Sequence, residues 1–308
     1  MSFATISFEQ GEAALDWLAL TEALEAGHAL PRASIEDSFL YRGKDTVLSR
    51  AAWIDGLGMA VKTATIFPGN PGAGRPMING GLSLFSDADG TLAALVDFHL
   101  VTKWKTAGDS LLAARHLARP DSRNILILGA GNQARATRQA YGALFPDARF
   151  TIWNRTPENA AKLAGEYPAT TPAEDLEQAV RGADVIVGTT MSTDPILRGE
   201  WLCPGQHVDL IGAYRPDMRE ADDTALTRAD LFVDSRDTTL DHIGELKIPL
   251  AGGVISRDSV IADFYDLPTG AFQRTSPEQI TLFKNGGGAH LDLMTAHHIM
   301  NAVQGRAA

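Results

Sequence analysis

NILILGAGNQARATRQAYGAL, residues 124–144, decides how the rest of the chain is read. Asn124 to Leu128 is a short run of branched apolar residues, the pattern of a strand buried on both faces. Gly129-Ala130-Gly131-Asn132-Gln133-Ala134 follows at once, and residues 132–144 then carry helical spacing. The result is G-x-G-x-x-A between a strand and a helix, the setting in which this pattern marks a phosphate-binding turn. Gly129 permits the tight turn, Gly131 lets the backbone approach a pyrophosphate, and Ala134 is small enough for the helix to pack closely on the sheet. The helix start offers N–H groups and a positive dipole end to an anion. The stretch predicts a dinucleotide site formed by Gly129, Ala130, Gly131, Asn132, Gln133 and Ala134.

Working outward, short apolar runs recur at Arg149–Trp153, Asp184–Gly188, His207–Ile211 and Asp230–Val233, with a helical stretch from Pro157 to Tyr167. Strands this short alternating with helical segments indicate βαβ units and a doubly wound parallel sheet. Residues 119–287 are assigned to this α/β, Rossmann-type domain. Thr189 and Gly212, just past two of the runs, are counted with the cofactor site. The second strand ends in Trp153-Asn154-Arg155-Thr156, with no acid to bond a ribose hydroxyl. Arg155 can pair with a 2′-phosphate, and Asn154 and Thr156 can hydrogen-bond it. The expected cofactor is therefore NADP (NADPH), with NAD as the alternative.

Residues 1–118 read differently. Ala13 to Ala26 is expected to form one amphipathic helix ended by Gly27, followed by strands at Val47–Trp53, Gly58–Ile66, Gly80–Phe85 and Leu92–Asp97. Ser86-Asp87-Ala88-Asp89-Gly90 is a hairpin turn signal, Phe67 to Met77 a Pro/Gly-rich loop, and Thr106 to Leu117 a helix. The last helix, Leu291 to Val303, is expected to pack back on this part. Residues 1–118 with 288–308 thus form a smaller α+β domain.

Composition excludes several classes of function. Across 308 residues, 27 Lys and Arg face 38 Asp and Glu, a formal charge of −11 that disfavours nucleic acid and anionic membrane as partners. The single cysteine, Cys203, permits no intrachain disulfide, and no His/Asp/Glu spacing resembles a metal site. No segment reads as a secretion signal or membrane span, so a cytoplasmic protein is expected.

The run from Leu82 to Ala107, the glycine turn, Trp153–Thr156, Ala183–Val187 and Gly212-Ala213-Tyr214-Arg215-Pro216-Asp217 together resemble the ornithine cyclodeaminase/mu-crystallin family. The resemblance spans nearly the whole chain in order. It implies a Rossmann domain inserted in a smaller substrate and dimerisation domain, a homodimer, and chemistry at the Cα–N bond of small amino or imino acids with a nicotinamide cofactor. By the same resemblance, Arg32 and Lys62 fall where the family binds the substrate carboxylate. Lys62 also stands near the reacting nitrogen. Lys105 stands where most relatives carry arginine, and a lysine cannot clamp a carboxylate bidentately. Lys284–Asp292 resembles the family's glycine-bearing crossover, and Asp292, opening the last helix, is counted with the cofactor site.

Tyr214 occupies the position where ornithine-cyclising members carry aspartate, and a neutral hydroxyl does not attract an ammonium group. The expected activity is reduction of a small α-imino acid, such as 1-pyrroline-2-carboxylate, by NAD(P)H. Two alternatives stand beside it: an ornithine cyclodeaminase or alanine dehydrogenase-type activity, and a mu-crystallin-like NADP-dependent binding protein. Lys62 is the candidate acid/base, because crowding by cations and partial burial draw a lysine toward neutrality. Alternatively, Lys62 only neutralises the carboxylate of a substrate that arrives protonated.

Overall fold

The computed structural model describes residues 3–305. The chain divides into two compact units, one of residues up to Lys105 together with those from Gly288 onward, the other Thr106–Gly287.

In the first unit β1 (Ala4–Ile6), α1 (Phe8–Ala14) and α2 (Trp17–His28) precede β2 (Ser34–Arg42), β3 (Asp45–Ile54), β4 (Gly58–Ile66), β5 (Ile78–Phe85) and β6 (Leu92–Asp97). The sheet order is β1-β6-β5-β4-β3-β2, with β1 parallel to β6 and the other pairs antiparallel. The single helix expected from Ala13 to Ala26 is two helices. Leu15 turns extended, and the Asp16 carboxylate accepts from the N–H groups of Leu18 and Ala19, each at 2.9 Å. That cap starts a new helix two residues after the first ends.

The second unit supplies β7 (Asn124–Leu128), α4 (Asn132–Leu144), β8 (Arg149–Trp153), α5 (Pro157–Ala164), β9 (Thr170–Pro172), α6 (Leu176–Gly182), β10 (Val185–Gly188) and β11 (His207–Leu210). It continues with α7 (Asp223–Arg228), β12 (Asp230–Val233), α8 (Arg236–Thr239), α9 (Gly244–Ala251), β13 (Val260–Ala262) and β14 (Thr281–Lys284). All eight strands are parallel, in the order β13-β12-β14-β11-β10-β7-β8-β9. The order reverses between β7 and β10, and such a switch point opens a ligand crevice at the carboxyl ends of the strands. Leu126, Leu128, Ile186, Val208, Leu210 and Leu282 pack one continuous core.

α3 (Phe98–Leu117) begins in the first unit and ends in the second. Residues 106–118, grouped by sequence with the first domain, fall in the second unit. There the Ser110 hydroxyl meets Asp209 Oδ1 at 3.1 Å, and the Tyr141 hydroxyl meets Asp209 Oδ2 at 2.5 Å. The last helix, α10 (Ala289–Val303), packs on α2, β3 and β4. Among the described residues no helix is long and apolar enough to cross a membrane.

Candidate functional site

The alternation of β4 puts Ala60, Lys62 and Ala64 on one buried face. Two small neighbours leave room for the lysine chain, which carries its ammonium to α3 and α10. Lys62 Nζ donates to Thr102 Oγ1 at 2.8 Å and to Asp292 Oδ1 at 2.9 Å, and it lies 4.7 Å from the Phe98 ring centroid. Phe98, Thr102 and Lys105 follow helical spacing on α3, so one face supplies the ring, the hydroxyl and a second cation. Lys105 Nζ lies 3.2 Å from the same Asp292 oxygen. α3 is fixed at this point by Trp104, which stacks on Trp17 at 3.8 Å and donates to Glu12 at 2.7 Å.

The three charged groups are nearly inaccessible: Lys62 and Lys105 are 6% exposed and Asp292 is 1% exposed. Burial draws the Lys62 ammonium down to about 8, and the positive charges of Lys105 and Arg50 add to the effect while Asp292 opposes it. For Asp292 burial pushes upward, but Lys105, Lys62 and Arg50 overcome it and hold the carboxyl at about 2. Arg50 is the cross-strand partner of Lys62 on β3, and its guanidinium pairs with Asp37 at 3.0 Å. Two buried lysines thus share one carboxylate oxygen. Cations in so dry a setting attract an anionic group strongly.

The structure therefore brings together Lys62 and Lys105, and it adds Asp292 to them. Asp292 was counted with the cofactor as a helix-opening residue. It stands in the first turn of α10, whose N-cap is Gly288, and its carboxylate is also the counter-ion of both lysines. Arg32 stands in the exposed loop before β2, where its charge acts on the buried His28. His290 is fully buried and forms an edge contact with His28 at 5.4 Å. Burial holds it well below the ordinary histidine range, so it is neutral.

In the second unit the glycine turn has the form a pyrophosphate needs. Gly129 adopts φ +116°, and a Cβ there would lie 2.5 Å from Thr189 Oγ1. Thr189 itself donates from its hydroxyl to Leu128 O at 2.8 Å, locking the turn against β10. At Gly131 a Cβ would meet nothing within 4 Å, so that residue faces open space. Gly131 caps α4 without a side-chain hydrogen bond, which leaves the first-turn N–H groups to a ligand. Gln133 Nε2 is buried with no hydrogen-bond partner among the described residues, a donor placed for an acceptor that the protein does not supply. Ala130 is partly exposed, Asn132 is exposed, and Ala134 is fully buried under the helix.

These features fit a dinucleotide. At the tip of β8, Arg155 and Thr156 are exposed, and Asn154 Nδ2 braces the loop by donating to Thr156 O at 2.9 Å. The N–H of Gly212 is taken by Glu220 at 2.6 Å, so Gly212 offers a ligand no donor. Tyr214 is 55% exposed, and the Asp217 carboxylate is forked onto Arg215 at 2.9 and 3.0 Å. Among the described residues no group of three or more His, Cys, Asp or Glu is arranged to hold a metal ion.

The ornithine cyclodeaminase/mu-crystallin family model matches residues 52–307. The chain is 48% identical over 306 residues to a Delta(1)-pyrroline-2-carboxylate reductase of Paracoccus denitrificans, covering 97% of each protein. It is 35% identical to the ketimine reductase mu-crystallin of Rattus norvegicus, over 77% of this chain and 74% of that one. Among solved structures, the Delta(1)-pyrroline-2-carboxylate reductase of Thermococcus litoralis, in complex with NADH and L-proline, matches with a TM-score of 0.90. Identity there is 25%, and 98% of each chain is covered. Fold, glycine turn and sequence agree, and the chain belongs to the ornithine cyclodeaminase/mu-crystallin family.

Proposed function

We propose that this protein reduces a small cyclic α-imino acid, 1-pyrroline-2-carboxylate or a close ketimine, to the amino acid with NADPH. The observation that carries the reading is the buried Lys62–Asp292–Lys105 cluster, which sets a proton-bearing lysine and a second cation on one carboxylate oxygen. The relatives' activities and the intact dinucleotide turn support it. When bound, the reduced nicotinamide supplies a hydride to the imine carbon. Lys105 holds the substrate carboxylate electrostatically, and Arg32, in its exposed loop, is the second anchor. Lys62 delivers a proton to the imine nitrogen, because an iminium carbon accepts hydride far better than a neutral imine does. With its ammonium drawn to about 8, Lys62 is charged at neutral pH yet gives up the proton readily. Asp292 keeps that ammonium in place through the 2.9 Å contact.

Arg155, at a β8 tip whose residues Trp153–Thr156 hold no acid, favours the 2′-phosphate of NADPH over NADH. Tyr214 and the Arg215-paired Asp217 leave no carboxylate at that loop to manage a substrate ammonium, which weighs against cyclodeamination. The nine-residue edge strand β2 exposes Phe39, Leu40 and Tyr41, an apolar edge suited to a second copy of the chain in a homodimer. One cysteine and an acidic composition suit the cytoplasm. The test is NADPH oxidation by purified protein across a panel of cyclic and linear imino acids, with ornithine, alanine and proline plus NADP run in reverse. Rapid oxidation with a cyclic imino acid is the expected result. Silence there, with ammonia released from ornithine, overturns the reading.

A further inference from the structure

Five ionisable groups are buried together in the second unit, outside the cluster just described. Lys284, at the end of β14, is fully buried and donates from Nζ to Leu210 O at 2.7 Å. The carboxylates of Glu245, Glu220, Asp234 and Asp209 all act on its charge. Among them Glu220 has the most particular geometry. Its Oε1 accepts from the Thr190 N–H at 2.6 Å and the Thr190 hydroxyl at 2.8 Å, and its Oε2 accepts from the Gly212 N–H at 2.6 Å. One side chain therefore ties the segment leaving β10 to the segment leaving β11.

The surrounding residues make room for this tie. A Cβ on Gly188 would stand 2.9 Å from Glu220 Oε1, and one on Gly212 would stand 1.9 Å from Thr190 O. The backbone of Glu220 is held in turn: Glu245 accepts from the N–H groups of Glu220 at 2.7 Å and Ala221 at 3.0 Å. Burial pushes the Glu220 carboxyl upward, while Lys284 and the Thr190 and Gly212 donors pull it back toward the ionised form. A carboxylate accepting three hydrogen bonds beside a buried ammonium is a rigid brace.

The sheet order says what the brace supports. A dinucleotide with its pyrophosphate on the Gly129 turn and its adenosine over β8 runs its other half across the ends of β10, β11 and β14. We infer that Glu220 is a positioning residue for the nicotinamide half of the cofactor, fixing the Thr190 and Gly212 segments against which that half lies. The inference rests on the dinucleotide reading of the glycine turn and is separable from it.

The experiment compares Glu220→Gln with wild type in direct binding of NADPH and of 2′,5′-ADP, which carries only the adenosine end. NADH and ADP are run as a parallel pair. The amide puts a donor against at least one of the three donors, so dinucleotide affinity is expected to fall about tenfold or more, while the fragment changes less than about twofold. Thr190→Val removes one donor at nearly constant shape and decides the matter should the first variant not fold. It is expected to weaken the dinucleotide about threefold with the same sparing of the fragment. Equal losses for dinucleotide and fragment, or no loss for either, overturn the inference. A wild type that binds neither dinucleotide overturns the cofactor reading, and this inference with it.

Discussion

Replacing Asp292 by Asn probes the site most sharply. Its Oδ1 is the shared partner of Lys62 at 2.9 Å and Lys105 at 3.2 Å, all three buried. An opposite charge this close typically moves a pKa by about 1 to 3, so removing it draws Lys62 from about 8 to roughly 6. At pH 7 the charged fraction of Lys62 then falls from about nine-tenths to about one-tenth. If Lys62 supplies the proton, kcat/KM for the imine drops about tenfold at pH 7 and recovers toward pH 5.5, roughly. The assay is the pH profile of kcat/KM followed at the nicotinamide absorbance band. Wild type is expected to lose activity as pH rises through about 8, and the variant at distinctly lower pH. An alkaline limb in the same place for both proteins refutes the claim that Asp292 sets the protonation of Lys62.

Further expectations concern the same two sites. Lys62→Met removes the proton donor and is expected to lower kcat by roughly 10²- to 10⁴-fold; steady-state kinetics check the loss, and a melt confirms that the variant folds. Gly131→Leu enters open space, so it is expected to melt like wild type yet fail to bind NADPH in a titration. Gly129→Ala meets Thr189 and an unfavourable φ, so it is expected to lose about 1–3 kcal/mol of stability by denaturant melts. Arg155→Ala is expected to raise KM for NADPH about tenfold while leaving NADH unchanged, and equal effects on the two cofactors would remove Arg155 from the 2′-phosphate site. Asp292 is held at about 2 against an ordinary 3.8, so its ion pair stabilises the fold fully above about pH 4 and is lost as pH falls toward 2; acid melts of wild type and Asp292→Asn are expected to converge there.

Much of the second unit was legible because its signals are local. β7, β8 and β12 occupy Asn124–Leu128, Arg149–Trp153 and Asp230–Val233, the runs the sequence marks, since strands buried on both faces are continuous apolar segments bounded by turns. β2 escaped notice because an edge strand with almost every residue exposed shows no alternation of apolar and polar positions. The break between α1 and α2 carried a signal, Asp16 as an N-cap, but it lay inside an otherwise continuous helical pattern.

The site divides in the same way. The glycine turn is a contiguous motif, and Lys62 and Lys105 stand in segments marked by the family resemblance. Asp292 as their counter-ion depends on a contact between positions 62 and 292, far apart along the chain. One hint was available, a lone acid within the apolar helix LDLMTAHHIM. The Glu220 brace joins residues 190, 212, 220, 245 and 284, and no local spacing links them.

The most direct test of the account follows the hydride itself. NADPH carrying deuterium at both C4 positions is mixed with 1-pyrroline-2-carboxylate and the protein, and the amino acid formed is examined by NMR. Wild type is expected to form proline carrying deuterium at Cα, and Lys62→Met is expected to form none. Unlabelled product, or no proline while the protein still binds NADPH, would contradict the account.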